Sequence, residues 1–384
     1  MKDKFRLISA AFALLFFAAC GILTLTHKAY DFSEIENRTL AQFPKLNVKD
    51  LVTKEDATDS QNVLQNDIED YLSDQFFCRT GFMKTYALAS RLMGKTDYNG
   101  TYVCSDDWLI EVYNEPVNTK KNTDRLSKTV DTLNSMGVDT SFILVPTAVS
   151  MYTEVLPSNV RGKEGQTEVF NYMYDHIAAN TKIDTWSVLE SEKKSGTQLY
   201  YKTDHHWTVD AAYAVYAEFC KAKGMEAVPK DSFDIEEVSN SFYGTVYSKS
   251  LNPLQPADTI KAYKQDMTGI SVKYMADPDA DSLYAESYLS VKDKYSYFLN
   301  GIQPMITIEN SNVKNGKTLL VVKDSYANCF VPFLINHYEK VIVLDTRYYR
   351  MGVTPAVRTF GVTDCLFLFN LNTLDKEVAL AGIY

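Results

Sequence analysis

Cations are in deficit in this 384-residue chain, where 39 Lys and Arg face 49 Asp and Glu for a formal net charge of -10. A nucleic-acid surface needs a clustered excess of Lys and Arg, and no basic stripe occurs, so that class of partner is excluded. Cysteine is scarce. Beyond Cys20, the five others (Cys78, Cys104, Cys220, Cys329 and Cys365) cannot all pair with one another, which argues against a disulfide framework. Histidine is scarcer still, at five, and His27, His176 and His337 have no metal-motif spacing. The acidic run Asp277-Pro278-Asp279-Ala280-Asp281 lacks the Gly and Glu of a calcium loop. Internal repeats and low-complexity tracts are missing too. What is abundant is apolar material, 46% hydrophobic with 13% aromatic, enough for one large core or two modest ones.

The N-terminus stands apart. Lys2, Lys4 and Arg6 precede an uncharged apolar run from Leu7 to Leu25, long enough to cross most of a bilayer core of about 30 Å. The positive flank puts the N-terminus in the cytoplasm. A cleaved signal would have a shorter apolar core followed by small residues, whereas Gly21, Ile22 and Leu23 continue the run, so an uncleaved anchor is expected. Phe17-Ala18-Ala19-Cys20 is a poor lipidation site, because Phe17 stands where a small aliphatic belongs. The organisation expected is a stub and anchor over 1–27, an extended arm over 28–66 containing Pro44, and an exported domain over 67–384.

Within that domain, Asp67 to Leu92 carries apolar residues at helical spacing and ends near Gly94, which reads as a helix. Helical patterns around Thr123–Met136, Gln166–Asn180 and Thr208–Lys223 alternate with short apolar strands at Ser141–Val145, Thr318–Val322, Lys340–Leu344 and Cys365–Phe369. Such alternation predicts an α/β fold with a buried, mostly parallel sheet covered by helices. Thr208 is a plausible N-cap and Gly224 a C′ residue. Between 228 and 317 the pattern gives way to turns and short aromatic strands, which reads as a β-rich insertion.

In open parallel sheets, ligands bind beyond the carboxyl ends of strands. Ser325 sits at such a place, after Lys323-Asp324 and before a stretch, Tyr326 to Ile335, that can start a helix. A turn of this kind exposes a hydroxyl above backbone N–H groups, although Asp-Ser at a turn also serves as a simple cap. Asp204-His205-His206-Trp207 precedes the helix beginning near Thr208. An imidazole with a carboxylate two residues away can act as an oriented general base; the same residues could instead be surface histidines or metal ligands lacking further partners.

These segments give the chain a specific resemblance. It resembles the DHHW proteins and their relatives, the alginate O-acetyltransferases with a circularly permuted SGNH-hydrolase-like (flavodoxin-like) domain, through Glu36-Asn37-Arg38 with Pro44, Asp74 to Gly81, Gly94 with Asn99-Gly100-Thr101-Tyr102, Asp204-His205-His206-Trp207, and Lys323-Asp324-Ser325-Tyr326. The resemblance implies Ser325 as nucleophile, His206 as base, favoured over His205, and Asp204 as its orienting carboxylate. It implies no diffusible cofactor and no metal. It also implies acyl transfer, most simply of acetyl, onto a cell-surface polysaccharide, beside a membrane-bound O-acyltransferase that supplies the acyl group. An esterase and a catalytically silent polysaccharide-binding subunit are the alternatives. The family's Gly and Asn oxyanion blocks have no secure counterpart, leaving Gly244, Asn300-Gly301 and Asn328 as candidates. Arg347 reads either as a substrate ligand or as an ion-pair partner of Asp345. Of the aromatics near these loops, Trp207, Tyr326, Tyr348 and Tyr349, the first two are the candidates for substrate contact.

Overall fold

A computed structural model describes residues 2–45, 57–114, 116–160, 163–376 and 378–384, so residues 46–56 of the expected arm lie outside the described residues. Two compact units result, one of Met1–Lys95 with Leu251–Leu254, the other of Thr96–Ser250 with Gln255–Tyr384.

The first unit begins with the helix Lys2–Thr26, whose stretch Lys4–Thr26 is long and apolar enough to cross a membrane. A two-residue hairpin, Phe32–Ser33 with Arg38–Thr39, follows. The helix expected from Asp67 to Leu92 is broken in two, Ala57–Asp74 and Arg79–Leu92, because Cys78 takes a left-handed backbone with φ of 57°. Sequence periodicity survives across such a break, which is why it was not visible in the pattern. The blocks around Glu36 and Asp74 hold each other: Arg38 donates to Asp74 through Nη1 at 2.8 Å, the Ala41 N–H donates to Asp74 at 2.9 Å, and Arg79 donates to Glu36 through Nη2 at 3.2 Å.

The second unit is built on a seven-stranded sheet of β1 (Asp139–Val145), β2 (Thr181–Lys182), β3 (Ile270–Tyr274), β4 (Met305–Asn310), β5 (Thr318–Lys323), β6 (Lys340–Leu344) and β7 (Asp364–Asn370), in the order β3-β4-β6-β5-β7-β1-β2. The pairs β6/β5, β5/β7, β7/β1 and β1/β2 are parallel, and β3/β4 and β4/β6 antiparallel. The central strands are apolar on both faces. Val321, Val343 and Leu366 enter one core with the helix Val209–Ala222, while Leu320, Ile342 and Phe367 enter a second core with the helices Thr119–Ser135, Lys163–His176 and Val353–Phe360. A strand buried on both sides needs this continuous run of β-branched and aromatic residues.

Not all of 228–317 stands aside as an insertion. Asp234–Phe242 and Asp258–Lys264 form a separate antiparallel ribbon, but β3 and β4 extend the main sheet. Along β4 the buried residues alternate, Ile306 and Ile308 facing in and Thr307 and Glu309 outward, the mark of a half-covered antiparallel strand. The sheet is mostly parallel with helices on both faces, as the alternation in the sequence predicts.

Candidate active site

The carboxyl ends of β5, β6 and β7 lie side by side, and Ser325 rises from the first of them. Asp324 shapes the turn: its Oδ1 accepts the Tyr326 N–H at 2.8 Å, and its Oδ2 accepts the Asn370 N–H at 2.8 Å and Nδ2–H at 2.7 Å. Where the sequence allowed a helix, the chain forms the tight 3₁₀ turn Ser325–Cys329 and only then the short helix Val331–Leu334, with Pro332 at its start. Proline has no N–H to give and fixes its own φ, so a continuous helix through this point is disfavoured.

The second loop is a narrow one, closed by Tyr201 N–H to the His206 carbonyl at 3.2 Å and Thr208 N–H to the Leu199 carbonyl at 2.8 Å. The Thr208 hydroxyl caps the following helix by accepting the Ala211 N–H at 3.3 Å. Asp258 anchors the loop from beneath, accepting Lys202 N–H at 2.9 Å and Thr203 N–H at 2.7 Å. Inside the loop, Asp204 Oδ1 accepts the His206 N–H at 2.9 Å and its ring Nδ1–H at 2.5 Å. Thr245 then fixes the other oxygen, donating its N–H to Asp204 Oδ2 at 2.6 Å and its hydroxyl at 3.0 Å.

These two turns meet although 119 positions separate His206 from Ser325 in the chain: His206 Nε2 lies 2.7 Å from Ser325 Oγ. With Nδ1–H committed to Asp204, the tautomer leaves Nε2 as an acceptor for the serine proton. The imidazole stacks on Tyr295 with ring centroids 3.7 Å apart, and the Tyr295 hydroxyl donates to the Ser325 carbonyl at 3.2 Å. Burial and the neighbouring His205 charge push His206 down to about 4, against the pull of Asp204, so the imidazole is neutral near pH 7. Burial also opposes a charge on Asp204, but His206 and His205 overcome it and hold this carboxyl well below its usual range.

His205 faces elsewhere. Its Nδ1 lies 2.6 Å from the Thr245 hydroxyl, and its ring is 3.9 Å from that of His206. Burial disfavours its charged form, yet Asp204 and Glu111 prevail and raise its pKa. Ligand atoms of Asp204, His205 and His206 lie within 4.8 Å of one another, a spacing a metal could use. In this arrangement both His206 nitrogens and the Nδ1 of His205 make hydrogen bonds.

The remaining sequence candidates fall into different roles. Trp207 is fully buried and offers no face to a sugar; its Nε1–H donates to the Tyr326 carbonyl at 2.8 Å, tying the loop of Asp204 and His206 to the turn that carries Ser325. Tyr326 is buried as well and its hydroxyl donates to the His205 carbonyl. Gly244 gives its N–H to the Thr203 hydroxyl at 3.1 Å, and a Cβ there would come within 2.2 Å of Asp204. Its role is close approach. Asn328 is consumed by Lys323 Nζ at 2.7 Å and the Gly301 carbonyl at 3.2 Å. Arg347 pairs in two-pronged fashion with Asp345, at 2.8 and 2.6 Å, and stays partly exposed beside Tyr348. Tyr349 is buried and Tyr348 exposed. Among the described residues, the Ser325 N–H makes no hydrogen bond. Sequence reasoning missed Thr245, Tyr295, Asp258 and Asn370; only Asn370, ending a parallel strand, carried a positional hint.

Residues 110–344 match the DHHW protein family. A DHHW family protein from Eubacterium siraeum is 25% identical with a TM-score of 0.66, covering 74% of this chain and 95% of its own. PatB1 of Bacillus cereus, solved with a sulfonyl adduct, shares the fold at 21% identity and a TM-score of 0.61, covering 73% of this chain and 97% of that one. Among curated proteins, the probable alginate O-acetylase AlgJ of Pseudomonas fluorescens is 26% identical over 149 residues, which span 35% of this chain and 38% of the relative. With a match over more than half its length, the chain belongs to the DHHW family.

Proposed function

We propose that this protein is an O-acyltransferase that moves an acyl group, most simply acetyl, onto a hydroxyl of a cell-surface polysaccharide through an acyl-Ser325 intermediate. The observation that carries the reading is the hydrogen-bonded series from Asp204 through His206 to Ser325. Ser325 Oγ attacks the acyl carbonyl as His206 Nε2 takes its proton, Asp204 stabilises the imidazolium, and the carbonyl oxygen gathers charge against the Ser325 N–H. Collapse of the adduct returns that proton to the donor's leaving group. An acceptor hydroxyl then gives its proton to His206, attacks the ester, and frees Ser325.

The name of the AlgJ relative supports acetyl transfer to a polysaccharide as the general chemistry. The apolar helix Lys4–Thr26, with its basic flank, supports an anchor with the domain outside the cytoplasm, where such a polymer is found. Acyl groups made inside the cell must then cross the membrane, and the partner that the family resemblance implies for that step is a membrane-bound O-acyltransferase.

Incubation with a chromogenic acetyl ester, with and without an oligosaccharide acceptor, tests the proposal. One acyl mass should map to Ser325, acceptor should accelerate ester consumption and become acylated, and Ser325→Ala and His206→Ala should each lose about 10⁶ in turnover without adding to one another. Release of acid unaffected by acceptor would assign the site to an esterase. A label on another residue would remove Ser325 from the mechanism.

A further inference from the structure

The helix Arg79–Leu92 wears its apolar side outward. Phe82, Thr85, Tyr86, Ala89, Leu92 and Met93 form one exposed stripe at spacings of three and four, and Leu92 and Met93 are 78% and 71% exposed. The opposite side buries Ala87 and Ser90. A surface helix in water has the reverse arrangement, with polar groups outward.

Its position within the N-terminal unit says what meets that stripe. The Phe77 N–H donates to the Thr24 hydroxyl at 3.0 Å, and the Phe82 ring lies 6.5 Å from that of Phe16. Thr24 and Phe16 are eight residues apart on one helix, about 12 Å along its axis. The chain therefore turns back beside the apolar helix and runs from near its outer end toward its middle. Charge agrees with this: Arg79, Lys84, Arg91 and Lys95 are the charged residues between 79 and 95, with no acid, in a chain of net charge -10. Arg79 is occupied by Glu36, while Lys84 and Arg91 lie on the side of the helix opposite the stripe and Lys95 follows its end.

We infer that Arg79–Lys95 is a second membrane element, lying along the outer leaflet with its stripe among acyl chains and its opposite side, which carries Lys84 and Arg91, turned with Lys95 toward anionic headgroups. The inference rests on the reading of Lys4–Thr26 as a membrane-crossing anchor. Full-length protein reconstituted into vesicles of phosphatidylcholine with one quarter phosphatidylglycerol, carrying a lipid with a photoreactive acyl chain, gives the test. Adducts should map both to the anchor and to residues 82–93, and Leu92→Glu with Met93→Glu, both at exposed positions, should reduce only the second set several-fold. Omitting phosphatidylglycerol should lower the second set as well. Adducts on the anchor alone would overturn the inference and leave the stripe to a protein partner; adducts on neither would overturn the anchor reading itself.

Discussion

Asp204 and Asp324 occupy matching places in the two halves of the site. Each begins a turn, each is almost fully buried, and each uses its carboxylate to accept a backbone N–H two residues on. Their partners differ. Asp204 faces two imidazoles, which hold its carboxyl well below the usual range despite burial. Asp324 is pushed up by burial, because its amide donors at Asn370 and Tyr326 and the more distant Arg347 do not fully offset the loss of water. The same residue in the same local turn thus becomes either an anion held by imidazoles or a clasp on backbone amides, and the choice is made by what lies across the gap.

The largest break in this comparison comes from Asp204→Asn. The turn should survive, but an amide cannot hold the His206 tautomer, and kcat should fall about 10⁴-fold, as the same change does in serine proteases. Circular dichroism checks the fold and turnover checks the loss; a variant near full rate would sever Asp204 from the chemistry. Asp324→Ala should strike stability first, stranding three buried N–H groups at about 1 kcal/mol or more each, read as a lower urea midpoint. The pH dependences should also run in opposite senses. A depressed Asp204 adds stability that is present above the ordinary carboxylate pKa of about 4 and is lost as pH falls below it. A raised Asp324 makes the wild type less stable as pH climbs above about 4, so the deficit of Asp324→Ala should grow as pH is lowered from neutrality.

Smaller effects sharpen the contrast. Gly244→Ala places a methyl group where Asp204 stands, and a shift of even about 1 Å in the carboxylate should lower kcat on the order of 10²-fold. His205→Ala should change the rate at neutral pH least. It removes a positive neighbour that helps hold His206 at about 4, so the acid limb of kcat/KM should move to higher pH. A limb that stays in place would show that His205 does not tune the base.

The parallel strands at Thr318, Lys340 and Cys365 were legible in the sequence because burial on both faces demands uninterrupted apolar runs. The break at Cys78 was not, since a left-handed non-glycine residue leaves no compositional trace. Region 228–317 concealed β3 and β4, which pair with each other and, through β4, with β6, long-range events that local pattern does not encode. The site divides in the same way. Two adjacent histidines behind an aspartate are conspicuous in a histidine-poor chain, whereas Thr245, Tyr295 and Asn370 act only through contacts made across the fold. Trp207 and Tyr326 were visible as aromatics near loops, but whether an aromatic faces substrate or core depends on burial, which residue type alone leaves undecided.

The strand order has a consequence for how this molecule comes into being. β1 is flanked by β2, only two residues long, and by β7, the latest in chain order of the seven strands of this sheet. Until Asp364–Asn370 emerges, β1 has almost no neighbour and β5 has one open side. A chain cut short before Asp364 would lose the middle of its sheet and not an edge, and Asp324 would lose its Asn370 clasp at the same stroke. Completion of the sheet must wait until Asp364–Asn370 has been made, so a nascent chain stays exposed to proteolysis and to chaperones until that strand arrives.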